Sequence, residues 1–406
     1  MSTGAGGALP PLAVYIHLPW CLQRCGYCDF NAHALRGELP AWAYQAALAR
    51  ELRRQAPAAL GRRVCSVFIG GGTPSLFPPA VIGELLGDLD AVLGLEPGAE
   101  ITLEANPGAS ETARLRGFRG AGVTRLSLGV QSLDDTLLAR LGRIHDAAAA
   151  REAVAEARTA GFTGVNVDLM YGLPGQEVAG AEADVAAAIE LGVDHLSHYQ
   201  LTIEPDTPFG RRPPPGLPGE ETLLAMEAAC RQRLAAAGLE RYEVSAFARA
   251  GQRSAHNLGY WTFGDYLGLG AGAAGKLTGL DGRVRRTRQR RSPQRWMGVA
   301  GSDQAEVESI ELTPGEQAFE VLLNGLRLLE GIPEDLLQAR SGCDRQALRA
   351  WLAPLYERGW LISEKGRIRA SAVGYEMLDT LLLELLPGPP AATGGRPSAK
   401  GDNALD

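Results

Sequence analysis

Hydrophobic residues follow two alternating periodicities over the first half of the chain. Short apolar runs predict buried strands, and stretches with apolar residues every three or four positions predict the helices between them. The six predicted strands span 12–16, 64–69, 100–105, 124–128, 165–170 and 195–201. Apolar strands that alternate with helices predict an α/β fold whose parallel sheet is buried on both faces.

Polar residues stand at the end of each predicted strand or in the loop that follows it. The first strand leads into three cysteines and the second into a glycine run at 70–72, while Glu104, Gln131 and Asp168 mark later strands. In parallel α/β folds the chemistry lies at the carboxyl ends of the strands. Groups from all six ends converge only if the sheet curves around one axis, so the pattern predicts an open partial barrel of (β/α)6 type.

The regular alternation ends near residue 205, and the remainder predicts smaller units. An α+β extension contains the sequence HNLGYW and a glycine-rich run at 268–275, and a helical module with one polar β-like segment follows it. This module is predicted to be of winged-helix type. The predicted division is 1–11, a flexible N-terminus; 12–240, the core; 241–312, the extension; 313–386, the module; and 387–406, a disordered tail.

Cys21, Cys25 and Cys28 have the spacing Cys-x3-Cys-x2-Cys directly after the first strand. Three thiolates on one loop can hold three irons of a [4Fe–4S] cluster and leave the fourth iron open to a further ligand. A structural zinc site is the alternative, but it normally closes with a fourth Cys or His, and the nearest is His33. Three clustered cysteines pair badly as disulfides. The remaining cysteines, Cys65, Cys230 and Cys343, are predicted to be buried thiols.

Composition and charge narrow the function further. The 406 residues carry a net charge of −7, which argues against a general nucleic-acid-binding protein. No apolar run is long enough to span a membrane and no signal-peptide pattern occurs, so a cytoplasmic protein is expected. Seven arginines lie within 283–295, either on a solvated strand or at a site for phosphates or carboxylates. Neither a nucleotide-binding GxGxxG motif nor a P-loop motif follows any of the six predicted strands.

The motifs resemble those of the radical S-adenosylmethionine (SAM) enzymes, and within them the oxygen-independent coproporphyrinogen III oxidase group. The resemblance covers nearly all of residues 12–385. The shared motifs are YIHLPWCLQRCGYCDF, GGGTPS, EANP, RLSLGVQS, LGRIHD, DLMYGLPGQ and HLSHYQLTIEPDTP. It implies a [4Fe–4S] cluster on Cys21, Cys25 and Cys28, with SAM chelating the open iron. The implied SAM contacts are Tyr15, Tyr27, Gly71, Gly72, Thr73, Glu104, Gln131, Arg143 and Asp168.

Two departures separate the chain from the true oxidases. Their cysteine loop continues CxxxCxxCxC, whereas Phe30 stands here, and they have a longer N-terminal extension. In both respects the chain is similar to the haem chaperone branch, the HemW type, which implies that it binds haem and passes it to acceptor proteins. That branch carries HNxxYW as its proposed haem-binding element, which here comprises His256, Asn257, Tyr260 and Trp261.

Alternatives remain at this point. From the residues alone, His256 and Trp261 are equally explained as buried side chains that pack under the glycine-rich run. A radical SAM oxidase that decarboxylates the propionates of coproporphyrinogen III is the alternative function, so the sequence leaves open whether the protein is an enzyme. It also leaves open the oligomeric state and the haem acceptor.

Overall fold

The computed structural model describes residues 8–386, apart from the side chains of residues 109 and 110. Most of the predicted flexible segment 1–11 and the whole predicted tail 387–406 lie outside the described residues. Among the described residues, no helix combines the length and apolarity needed to cross a membrane.

The core consists of strands that alternate with helices. Its strands are β1 (Leu12–Leu18), β2 (Trp20–Cys21), β3 (His33–Ala34), β4 (Val64–Gly71), β5 (Leu95–Ala105), β6 (Arg125–Gln131), β7 (Gly164–Tyr171) and β8 (His195–Gln200). Its helices are α1 (Ala41–Gln55), α2 (Pro79–Leu93), α3 (Ala109–Thr112), α4 (Leu115–Gly120), α5 (Asp135–Leu141), α6 (Ala147–Thr159), α7 (Val178–Glu190), α8 (Pro208–Arg211) and α9 (Glu220–Ala236).

The extension contains mostly short strands. They are β9 (Glu240–Glu243), β10 (Ala246–Ala248), β11 (Asp265–Leu269), β12 (Ala274–Thr278), β13 (Val284–Gln289) and β14 (Glu306–Glu311), with the helices α10 (Ala255–Trp261) and α11 (Pro293–Val299).

β1 and β4 to β8 form the predicted parallel sheet in sequence order, β1-β4-β5-β6-β7-β8. Their apolar side chains are almost fully buried, as in the patterns of LAVYIHL in β1 and GVNVDLMY in β7, because helices cover the outer face. Loops and side chains at the carboxyl ends of these strands border one common cavity, which requires the sheet to curve. The α/β fold with an open partial barrel is therefore confirmed.

Three details of the sheet differ from the sequence prediction. β5 begins at Leu95 rather than at residue 100. The predicted single strand at 241–247 is two strands, β9 and β10, which pair antiparallel with each other. β11 pairs parallel with β1, and β12 to β14 then extend this edge, so the extension continues the core sheet. Local periodicity carries no information on such pairing between distant segments.

The glycine-rich run passes close to the core, as expected. Gly270 has φ +107°, and a Cβ there would lie 2.4 Å from the carbonyl oxygen of His17. A Cβ on Gly268 would lie 2.1 Å from the carbonyl oxygen of Ala274. Only glycine allows this approach of backbones between β1, β11 and β12.

Residues 314–384 have the order of a winged helix. The elements are α12 (Pro314–Gly325), β15 (Ile332–Pro333), α13 (Glu334–Ser341), α14 (Arg345–Glu357), β16 (Leu361–Glu364) and β17 (Arg367–Ala370), followed by α15 (Ala372–Glu376) and α16 (Leu378–Glu384). The three strands form a separate small sheet of order β15-β17-β16. Apolar residues of this module and of the extension form one hydrophobic core.

Three of the seven arginines within 283–295 pair with carboxylates of β14 and α12. Arg283 donates to Glu311 at 2.7 Å, Arg288 pairs with Glu308 across β13 and β14, and Arg286 pairs with Glu320 on α12. These pairs favour the solvated-strand interpretation over a site for phosphates or carboxylates. These acids lie 20 to 34 residues beyond their arginine partners, so the composition of 283–295 did not reveal them.

Candidate functional site

A cavity of about 480 Å³ opens at the carboxyl ends of the barrel strands. Of the residues predicted to bind a cofactor or metal, Tyr15, His256, Tyr260 and Trp261 do not line it. The lining includes all the others: Cys21, Cys25, Tyr27, Cys28, Gly71, Gly72, Thr73, Glu104, Gln131, Arg143, Asp168 and Asn257.

The cysteine loop is held at the cavity mouth by backbone hydrogen bonds. β2 pairs in parallel with β3, which joins the beginning and the end of the loop. The backbone N–H of Cys28 donates to the carbonyl of Cys25 at 3.3 Å, so the loop turns and brings both side chains to the cavity. Burial together with the neighbouring Cys28 and Cys25 raises the pKa of the Cys21 thiol to about 11, and burial raises the pKa of Cys28.

Burial therefore favours the neutral thiols of Cys21 and Cys28 unless a positive partner is present. An iron–sulfur core would provide that charge. Among the residues that the structure describes, no group of three or more His, Cys, Asp or Glu side chains is placed to bind a single metal ion. His33, the candidate fourth zinc ligand, instead has Nε2 at 3.3 Å from Oδ1 of Asn31.

The glycine run after β4 brings backbone against the cysteine loop. Gly71 has φ +122°, and a Cβ on Gly72 would lie 2.5 Å from the carbonyl oxygen of Trp20. The N–H of Thr73 donates to that same carbonyl at 2.7 Å. A side chain at position 72 would push the two loops apart, so glycine is required here for close packing beside the cavity.

Two carboxyl groups face the cavity from β5 and β7, the strands on either side of β6. Glu104 on β5 accepts a hydrogen bond from the N–H of Gly71 at 3.0 Å. Burial, with the Asp168 charge nearby, raises the pKa of Glu104 to about 8. Burial also raises the pKa of Asp168, although hydrogen bonds from Asn166, Ser197 and Ser127 oppose this effect. The carboxyl of Asp168 therefore receives several side-chain hydrogen bonds that favour its charged form.

Gln131 adopts an unusual backbone conformation at the end of β6. Its φ is +73°, in a region that disfavours side chains, and the register between β6 and β7 shifts between Gly129 and Gln131. Such a bulge re-aims a side chain at the end of a strand. The Gln131 side chain borders the cavity and accepts a hydrogen bond from the Tyr199 hydroxyl at 2.8 Å.

Arg143 joins the cysteine loop to the strand ends. Its Nη1 lies 3.6 Å from Sγ of Cys25, and its Nη2 donates at 2.6 Å both to Oδ1 of Asn106 and to the carbonyl of Gly129. Asn106 in turn donates to Thr73 Oγ1 at 3.0 Å. This network fixes a cation next to the predicted cluster ligands.

Tyr15 and Tyr27 have different positions. The hydroxyl of Tyr15 lies 2.9 Å from Nδ1 of His17, and its ring stacks on Phe68 with centroids 6.3 Å apart, outside the cavity lining. Tyr27 lines the cavity, and its ring packs against Phe209 with centroids 6.4 Å apart.

The HNLGYW segment forms α10, and most of it packs away from the cavity. His256 is 1% exposed, and its Nδ1 lies 3.0 Å from Ser66 Oγ on β4. Nε2 of His256 is buried and finds no hydrogen-bond partner within residues 8–386, and burial lowers the pKa of this imidazole to about 3. Trp261 lies under the guanidinium of Arg327 at 4.3 Å. Asn257 alone of the four predicted haem-binding residues borders the cavity.

Several polar residues at the cavity were missing from the predicted site. Asn106 and Tyr199 stood at strand ends but were not assigned to the site. Asn166 lies two residues before Asp168 on β7 and bonds to it at 2.8 Å. Alternate residues of a strand share one face, so this spacing was the signal that could have found Asn166.

Comparisons with known proteins agree with this geometry. A family model described as the radical SAM superfamily matches residues 15–188, and the HemN C-terminal domain matches residues 312–376. The solved structure of coproporphyrinogen III oxidase (HemN) from Escherichia coli covers 94% of this chain and 91% of its own, with a TM-score of 0.79 at 24% identity. The fold and the cysteine-lined cavity define a radical SAM protein of HemN-like architecture.

Curated relatives narrow the class. The heme chaperone HemW of Escherichia coli (strain K12) is 44% identical over 89% of this chain and 96% of its own length. The heme chaperone HemW of Haemophilus influenzae is 40% identical over 92% and 97%. Radical S-adenosyl methionine domain-containing protein 1, mitochondrial, of Bos taurus is 39% identical over 92% and 87%. The chain belongs to the HemW family.

Proposed function

We propose that the protein is a haem chaperone that binds haem and transfers it to acceptor proteins, with a [4Fe–4S] cluster and an exchangeable SAM. The observation that carries the proposal is the near full-length similarity to proteins named heme chaperone HemW. The absence of any cysteine two residues after Cys28, where Phe30 stands, supports the chaperone over the oxidase. None of the six cysteines, all of which the structure describes, is paired in a disulfide, which supports a reducing, cytoplasmic location.

Cys21, Cys25 and Cys28 would hold the cluster, because they are the thiols that border the cavity mouth. When bound, the cluster supplies an iron with an open position for the amino and carboxylate groups of SAM. Glu104, Gln131, Arg143 and Asp168 border the same cavity and offer acceptors and a cation for the polar groups of SAM. Gly71, Gly72 and Thr73 bring backbone close to this space, and Tyr27 covers one side.

Haem is the cargo, and its proposed contacts are His256, Asn257, Tyr260 and Trp261. A neutral imidazole is a usual haem ligand, and burial keeps His256 neutral. Because Nε2 of His256 is enclosed by packing, α10 must shift away from β4 before that nitrogen can reach iron. The proposal therefore includes an opening of α10 during haem loading.

The cluster assignment is tested by single substitutions. Cys21→Ala, Cys25→Ala or Cys28→Ala should abolish the broad visible absorption of anaerobically reconstituted protein, because two thiolates retain a cubane poorly. Cys65→Ala, Cys230→Ala and Cys343→Ala serve as matched controls and should keep the absorption and the iron content. Loss of the cluster in any control variant would contradict the ligand assignment.

The chaperone and oxidase activities are separated with the reconstituted parent protein. We expect stoichiometric binding in a haem titration and no decarboxylation of coproporphyrinogen III with SAM and a reductant. Turnover of coproporphyrinogen without haem binding would establish the oxidase alternative instead.

A further inference from the structure

A chain of buried hydrogen bonds leads from the cavity toward the C-terminal module. Nδ2 of Asn166 lies 2.8 Å from Oδ1 of Asp168, and Oδ1 of Asn166 lies 2.6 Å from Nδ1 of His195. Nε2 of His195 then lies 2.8 Å from the hydroxyl of Tyr242 on β9. Asn166, His195 and Tyr242 are 4%, 1% and 1% exposed, so water does not compete for these bonds.

The donors and acceptors of these side chains fix the direction of every bond in the hydrogen-bond chain. An ionised Asp168 only accepts, so the amide nitrogen of Asn166 faces it and the amide oxygen faces His195. His195 must therefore donate from Nδ1, which leaves Nε2 to accept from the Tyr242 hydroxyl. Burial and the Arg125 guanidinium lower the pKa of His195 well below its ordinary value, so the imidazole is neutral as this arrangement requires.

The Tyr242 end of the hydrogen-bond chain is held by the residues that join α12 to β15. The carbonyl of Tyr242 accepts from the N–H of Leu329 at 3.1 Å. The neighbouring Glu243 accepts from Nη2 of Arg327 at 3.0 Å. A displacement of this segment would move β9 and with it the hydroxyl that orients His195.

We propose that Asn166, His195 and Tyr242 are positioning residues that hold the Asp168 carboxylate in place for SAM. They also couple the orientation of this carboxylate to the position of the C-terminal module. The inference rests on the proposed SAM site. Asn166 lies 2.8 Å from Asp168, closer than Ser127, whose Oγ lies at 3.4 Å. Because each group from Tyr242 onward donates toward Asp168, the hydrogen atoms of the hydrogen-bond chain have a single arrangement.

The role of the hydrogen-bond chain is tested with a matched pair of His195 variants in the full-length, cluster-loaded protein. His195→Leu removes both polar atoms, and SAM affinity by calorimetry should fall roughly five- to tenfold, the effect of one hydrogen bond. His195→Gln keeps a donor for Asn166 and an acceptor for Tyr242, so it should bind SAM within about twofold of the parent. A packing role predicts the reverse order, because leucine preserves the buried apolar volume better.

Two further variants keep the outcomes distinct. Tyr242→Phe removes one hydroxyl and preserves the ring, so it should shift the nitrogen NMR signals of His195 and weaken SAM binding about two- to threefold. Asp168→Ala tests the SAM site itself, and unchanged SAM affinity there would overturn the proposed site. A result in which Asp168→Ala weakens SAM binding while Tyr242→Phe changes neither the His195 signals nor the SAM affinity would contradict the role of the hydrogen-bond chain. That result would leave the proposed SAM site intact.

Discussion

The two carboxyl groups at the barrel mouth, Glu104 and Asp168, have different hydrogen-bond surroundings. Glu104 receives one backbone hydrogen bond, whereas Asp168 receives side-chain hydrogen bonds from Asn166 and Ser127. The pKa of Glu104 is about 8, chiefly through burial, so at neutral pH the group is mostly a neutral acid in the ligand-free protein. Burial raises the pKa of Asp168 as well, but its side-chain hydrogen bonds and the nearby Arg143 charge oppose that rise.

The raised pKa of Glu104 predicts a pH dependence of stability. The unfolded chain ionises this group above its ordinary pKa of 4.5, whereas the folded protein holds the proton up to about pH 8. Between these values the folded state binds more protons, so the contribution of Glu104 to the free energy of unfolding falls as pH rises and is lost above pH 8. Urea unfolding of the ligand-free protein at several pH values measures this trend.

Glu104→Gln is the matched variant, because glutamine keeps the shape and cannot ionise. From about pH 5 to pH 8, the free energy of unfolding of the parent should fall relative to that of the variant. A difference that stays constant over this range would show that Glu104 is already ionised in the folded protein.

At the scale of elements, α10 is held by contacts from several strands of the barrel. Ser254 caps it by accepting from the N–H of Asn257, and the Glu100 carboxylate accepts from the N–H groups of Ala255 and His256. An acid and a serine at a helix N-terminus stabilise it. These contacts give the HNLGYW segment a structural role that exists whether or not haem binds there.

His256→Ala separates packing from haem ligation. We expect a loss of about 2–5 kcal/mol in the free energy of unfolding, because a buried ring is removed. If the ligand proposal is correct, the Soret band of the haem complex should also shift and haem affinity should fall, with cluster loading unchanged.

His198→Ala is the control, since His198 is also a buried, neutral imidazole, 6% exposed and stacked on Tyr171 at 4.8 Å. It should lower the melting temperature similarly and leave the Soret band unchanged. An unchanged Soret band in His256→Ala would restrict α10 to packing and place the haem ligand elsewhere.

At the scale of the whole molecule, Arg327 joins the barrel extension to the C-terminal module. Its guanidinium pairs with Glu243 at 3.0 Å and lies over the Trp261 ring at 4.3 Å, while its carbonyl accepts from the Tyr375 hydroxyl at 2.8 Å. Glu243 is 3% exposed, so its side of this ion pair is shielded from water. The module is therefore seated on the same β9 segment that carries Tyr242.

Arg327→Ala should reduce the free energy of unfolding by about 3 kcal/mol, the low end of the cost when a buried ion pair loses one partner. Calorimetry should also show the module unfolding at a lower temperature than the barrel. Arg358→Ala is the control: Arg358 pairs with Glu384 and lies over the Trp360 ring at 5.2 Å, but both charges are well exposed. That change should cost under about 1 kcal/mol, and an equal loss in both variants would contradict a special role for Arg327.

Much of the fold and site was predictable because the determining signals are local. Apolar runs between periodic helices specify a parallel sheet, and curvature follows from polar residues at all strand ends. The three cysteines, Glu104, Gln131 and Asp168 stand at those ends, so their meeting at one cavity follows from the topology. The bulge at Gln131 was not predictable, since it arises from strand pairing with β7.

What the sequence determined by itself is the order of strands and helices, the loop that gathers Cys21, Cys25 and Cys28, and the family. Only the tertiary structure decided that β11 pairs with β1, that Asn166 and His195 connect Asp168 to Tyr242, and that His256 is enclosed against β4. The reason is physical: strand and helix patterns depend on near neighbours, whereas these contacts join segments far apart in sequence whose approach is set by how the whole sheet packs.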